Sequence, residues 1–137
     1  MKVTCLGMYF NETAIESDKE PSQELTIKKS VLDRSSGNII ARFEYSTESR
    51  TKLVYQVFFD DKPLMYMGTN IPVETNSGFY DTILLHYPNS AKANKLGKHK
   101  IRVVCGLIPN IVLSKEGLVD WKPAQAISEA NFVINLE

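Results

Sequence analysis

Between residues 38 and 107, apolar side chains recur at every second position, in short runs separated by turn residues. That period belongs to a strand with one buried face, because successive side chains of an extended backbone point to opposite sides. Ile39, Ala41, Phe43 and Tyr45 make one row, and Arg42, Glu44 and Ser46 make the opposite one. In residues 53–59 both rows are mostly apolar: Leu53, Tyr55, Val57 and Phe59 alternate with Val54, Gln56 and Phe58. A strand of that composition is covered on both sides and is therefore central. Asp60-Asp61-Lys62-Pro63 turns it back into Leu64-Met65-Tyr66-Met67, and Gly68-Thr69-Asn70 ends the run.

The rest of the chain extends the pattern. Residues 2–10 form a first strand and 11–22 a polar connection, so 1–22 reads as a strand or arm plus a linker. Leu25, Ile27 and Val31 alternate with polar residues as an edge strand, before a turn at 33–37. A strand over 79–87 follows the turn at Asn76-Ser77-Gly78. The Ala- and Lys-rich stretch 88–96 is expected to cross the end of the fold with one helical turn. Ile101, Val103, Cys105 and Leu107 face inward on the next strand. Ser114-Lys115-Glu116-Gly117 centres an extra hairpin, residues 123–130 read as a loop, and Phe132, Ile134 and Leu136 close the chain. These pieces predict a single domain over 1–137. Its class is all-β, an immunoglobulin-like antiparallel β-sandwich of about eight strands.

Composition excludes several functions. Sixteen basic residues balance sixteen acidic ones, which argues against a nucleic-acid partner, since such proteins carry a basic excess or stripe. The local cluster Lys92, Lys95, Lys98, Lys100 and Arg102 reads as a solvated face. No run approaches the roughly 18 apolar residues of a membrane span, and the N-terminus lacks the shape of a signal peptide. A cytoplasmic protein without membrane insertion is expected. Cys5 and Cys105 sit in apolar runs and read as buried free thiols rather than as a disulfide. His86 and His99 lack ligands at metal spacing. With no nucleophile elbow and no phosphate loop, no catalytic residue, metal or cofactor is assigned.

What remains is a surplus of rings. Tyr55, Tyr66, Tyr80, Tyr87 and Trp121 combine flat faces with a polar tip, and they equally suit half-buried sheet positions. Sugars stack their axial C–H groups on such faces, while their hydroxyls seek amides and carboxylates. On that chemistry the candidate ligand-binding residues are Trp121 or Tyr66 as the ring, with Asn70, Gln56 and Asp120 as hydrogen-bonding partners. The alternative is a protein-interaction or assembly module that uses a sheet edge or the 108–130 excursion.

From about Leu25 the order of pieces resembles a known family. The hairpin is followed by Gly68-Thr69-Asn70, then by LGKHKIRVV (Leu96 to Val104), LVDW (Leu118 to Trp121) and ANFVI (Ala130 to Ile134). This is similar to the C-terminal carbohydrate-binding domains of O-antigen ABC-transporter ATPase subunits, with His99 where those domains usually carry an aromatic. The resemblance implies a non-catalytic, cytoplasmic module for polysaccharide export that binds the end of an exported glycan. It also implies a homodimer formed through the last strand, from Asn131 to Leu136.

Overall fold

The computed structural model describes residues 1–11, 15, 18–34, 37–71, 77–86 and 95–137, with backbone alone for 32–34 and 85–86. Its elements are β1 (Lys2–Asn11), β2 (Glu24–Ile27), α1 (Lys29–Arg34), β3 (Asn38–Ser46) and β4 (Lys52–Phe59). They continue with β5 (Lys62–Asn70), β6 (Ser77–His86), β7 (Gly97–Ile108) and β8 (Ala126–Leu136). Two sheets pack face to face, one of order β1-β3-β6 and one of order β2-β8-β7-β4-β5. β4, β7 and β8 thus face β1, β3 and β6, as in immunoglobulin-like sandwiches. All pairs are antiparallel except β2 with β8, which is parallel.

The alternating rows become the core. Ile39, Ala41, Phe43 and Tyr45 from β3 meet Leu53, Tyr55, Val57 and Phe59 from β4, and Ile101, Val103, Cys105 and Leu107 from β7. Phe132, Ile134 and Leu136 of β8 join them, and every one of these side chains is buried. Full burial of each large apolar group contributes about 1.5–3 kcal/mol. Tyr55 also ties the sheets together. Its ring stacks on Phe43 at 5.2 Å, and its hydroxyl donates to the Ile83 carbonyl at 3.0 Å while lying 3.2 Å from Thr82 Oγ1. Burial pushes the Tyr55 phenol above its ordinary pKa.

Turn chemistry fixes the β4–β5 hairpin. Asp60 and Asp61 both take left-handed backbone, φ 48 and 67, the pattern of a two-residue turn that matches strand twist. The Asp60 carboxylate then accepts from Lys100 N at 2.9 Å and meets His99 Nδ1 at 2.8 Å. His99 is buried, reaches the Lys95 carbonyl at 2.6 Å and stacks on Phe59.

Residues 1–11 are an integral strand, since β1 pairs with β3 along its length. Ser22 then bridges back to Met8, close enough that a Cβ on Gly7 would lie 2.9 Å from Ser22 O. The expected edge strand through Val31 is corrected: it stops at Ile27, and Val31 lies in α1. Glu137 N donates to Ile27 O and Lys29 N to Glu137 O, and after these bonds the chain turns into α1. The loop expected over 123–130 is shorter, because β8 begins at Ala126. β5 ends at Asn70, with Gly68-Thr69-Asn70 as its last residues. The expected features at Asn76, Tyr87 and 88–94, and Lys92 with them, lie outside the described residues.

The last strand does not present an empty edge. Val133 to Leu136 pair with β2 on one side and β7 on the other, so exchange between protomers would replace pairs the chain already makes. Cys5 and Cys105 are buried free thiols. Burial pushes Cys5 up to about 12 and raises Cys105 as well. No helix among the described residues is long and apolar enough to cross a membrane.

Tyr55→Phe keeps the ring and removes the cross-sheet hydroxyl, leaving the Ile83 carbonyl without that donor. Urea unfolding is expected to show a loss of about 1–3 kcal/mol. An unchanged midpoint would mean that the hydroxyl does not tie the sheets.

Candidate functional site

The outer face of the five-stranded sheet is where the predicted residues converge, and its floor is set by strand register. Residues paired across an antiparallel ladder share a face, so Gln56 stands beside Tyr66 and Val104, and Val54 beside Gly68 and Gly106. Val54 and Ile108 make this face apolar, and the excursion between β7 and β8 covers it. Within the excursion a small hairpin forms, with Asp120 N bonded to Val112 O and Ser114 N to Leu118 O, each at 2.7 Å. Its turn places Gly117 at φ 78. Val119 from this hairpin joins Val54 and Ile108 in a second buried cluster, flanked by Ile111, Trp121 and Ala124.

Two glycines let the cover descend. A Cβ on Gly68 would lie 2.6 Å from Ile111 Cδ1, and one on Gly106 would lie 2.8 Å from Trp121 Cζ3 and 2.9 Å from Ala126 O. Trp121 is therefore seated on the backbone of β7 as part of the cover. That seat uses much of the ring's surface, leaving it half-buried. Asp120, also half-buried, turns its Oδ1 to Lys122 N at 3.0 Å and stabilises the local turn.

Gln56 pins the hairpin from below. Its side chain is only 3% exposed, and its Oε1 accepts from Val119 N at 3.1 Å. The amide nitrogen makes no hydrogen bond within the described structure and is not sealed from solvent. Gln56 borders a cleft of about 300 Å³ with Leu64, Met65, Tyr66 and Gly117. Tyr66 is 41% exposed there. The structure thus brings together two predicted residues, Tyr66 and Gln56, as a ring beside an amide donor.

Asn70 is separate. It lies four residues along β5, about 13 Å at the rise of a strand, in another cleft with Arg50, Thr51, Lys52 and Asn110. Trp121 and Asp120 line neither cleft.

One exposed ring went unassigned in the sequence. Phe79 on β6 is 64% exposed, on the far face of the three-stranded sheet, between clefts of about 510 and 430 Å³. It pairs with Glu44, whose outward direction was legible, but that partnership is not local. Beside it Arg42 forms a two-point ion pair with Asp81, at 2.9 and 3.0 Å, and Tyr9 donates to the same carboxylate at 2.7 Å. The bond to Asp81 raises the Arg42 pKa further. Among the described residues no group of three or more His, Cys, Asp or Glu is placed to hold a metal ion.

Compared with known families and curated proteins, the chain matches no family model and no curated protein.

Gly106→Ala is expected to unseat Trp121, since its Cβ would collide with ring and backbone alike. The single tryptophan should shift its emission to the red, with a stability loss of about 1–3 kcal/mol. An unshifted spectrum would mean that the ring does not depend on this seat.

Proposed function

We propose that this protein is a non-catalytic binding module that recognises a polysaccharide. The observation that carries this reading is the pairing of an exposed Tyr66 ring with the Gln56 amide in the lining of one shallow cleft. A ring takes the apolar face of a sugar, and an amide donor takes a hydroxyl oxygen. Gln56 is held in place by Val119, so the donor is fixed before a ligand arrives and less ordering entropy opposes binding. The resemblance to O-antigen transporter domains supplies the glycan class, an exported O-antigen-type chain. One stacked sugar gives weak binding, so repeated units or paired modules would raise apparent affinity through effective concentration.

A second reading, a protein-interaction module, is favoured by β5. Its outer edge pairs with no strand among the described residues. From Pro63 to Asn70 it carries no charge, and it exposes Leu64, Tyr66 and Met67. Long uncharged apolar edges are templates for strand addition.

Two measurements separate these readings. Titration of a panel of bacterial polysaccharides should find a ligand whose affinity falls about tenfold in Tyr66→Ala, with the melting temperature unchanged. A panel without a ligand, or binding indifferent to Tyr66, would sink the glycan reading. For the edge, sedimentation velocity over a concentration series should show association that Met67→Lys abolishes. A monomer throughout counts against strand pairing between copies.

A further inference from the structure

The β3–β4 connection, the end of β5 and the start of the β7–β8 connection meet at one end of the sandwich. Antibody variable domains carry their binding loops at the corresponding end, a likeness of placement only. Here the strand ends and loops enclose a cleft of about 500 Å³ around Arg50, Thr51, Lys52, Asn70 and Asn110.

The cleft is locally basic in a chain whose formal charge is zero. Arg50 and Lys52 form no ion pair among the described residues, and no described acid lines the cleft. Asn70 and Asn110 are exposed at its rim, each with an amide able to donate. Thr51 is 6% exposed, and its Oγ1 is the one buried side-chain polar atom among the described residues without a hydrogen-bond partner. A sealed, unpartnered hydroxyl costs free energy in the unliganded chain. The same residue, Thr51, lines the cleft. The scaffold there is firm, because Ile71 N donates to Thr51 O at 3.2 Å and holds the two strand ends together.

We propose that this cleft binds an oxyanion, the carboxylate, sulfate or phosphate group of an acidic saccharide. Arg50 and Lys52 supply the charge, Asn70 and Asn110 donate from the rim, and Thr51 gains the partner it lacks. Charge-assisted hydrogen bonds of this kind are roughly twice as strong as neutral ones. The guanidinium fits a planar carboxylate at two points. The saccharide part rests on the polysaccharide reading above, whereas the anion part rests on this cleft alone.

The test uses the full chain and two probes. Sodium sulfate, against sodium chloride at equal ionic strength, should shift the backbone amide signals of Thr51, Lys52 and Asn110 in nuclear magnetic resonance spectra. Arg50→Gln with Lys52→Gln should weaken sulfate about tenfold or more, while Tyr66→Ala leaves it unchanged. Thr51→Val should raise the melting temperature of the free chain and weaken sulfate several-fold, a combination that a purely structural hydroxyl would not give. Equal shifts from chloride, or full sulfate binding in the double variant, would overturn the site. Oligoglucuronate should then displace sulfate at lower concentration than glucuronate monomer does, and a neutral dextran oligomer should not displace it. Equal potency of monomer and oligomer would overturn the saccharide assignment while leaving the anion site standing.

Discussion

Double burial of β4 is the constraint from which much of this molecule follows. Its inner row, Leu53, Tyr55, Val57 and Phe59, fills the space between the sheets. Its outer row begins with Val54 and Gln56, both buried as well. An apolar outer face left in water would forfeit the transfer energy that its burial gains. The chain therefore needs a second cover, and the β7–β8 excursion is that cover. Gly68 and Gly106 lack the Cβ atoms that would hold it off. Gln56 is the polar exception in the row, and its Oε1 accepts from the cover's own backbone at Val119.

That arrangement decides where a ligand can bind. The middle of the outer face is taken by Ile111, Val119 and Trp121, so both proposed sites fall at the margins. One margin is the hairpin tip beside Tyr66, where a ring and a fixed amide share a cleft. The other is the loop end, where Arg50, Lys52 and the two asparagines stand over the hydroxyl of Thr51. Both sites border paired strands, and the floor beneath each is held by hydrogen bonds. A glycan bearing an acidic group suits the chemistry of the pair, with stacking supplied at one margin and charge at the other.

The hairpin between β4 and β5 links the core to this outer architecture. Asp60 serves the turn through its left-handed backbone and the β7 strand through its carboxylate. His99 adds a buried ring against Phe59 at the same corner. The same ring forms hydrogen bonds with Asp60 and with the Lys95 carbonyl. The edge strand β5 is thereby set in register, and Tyr66 comes to lie opposite Gln56.

By itself the sequence determined the inner rows of β3, β4, β7 and β8 and the turns at Asp60-Asp61 and at residues 114–117. Alternation and turn propensity are local properties of the backbone, and they can be read a few residues at a time. Tyr66 and Gln56 were legible as candidates for the same reason, since each showed its chemistry and its place in a row. Only the tertiary structure decided what each row would face. β2 lies beside β8, a partner held a hundred residues away. Trp121 becomes packing rather than a free ring because register brings Gly106 beneath it. Asn70 belongs to a different cleft from Tyr66 because Ile111 fills the space over Gly68 between them. Sheet order and register are long-range outcomes of how rows from distant strands bury one another, and local periodicity does not encode them.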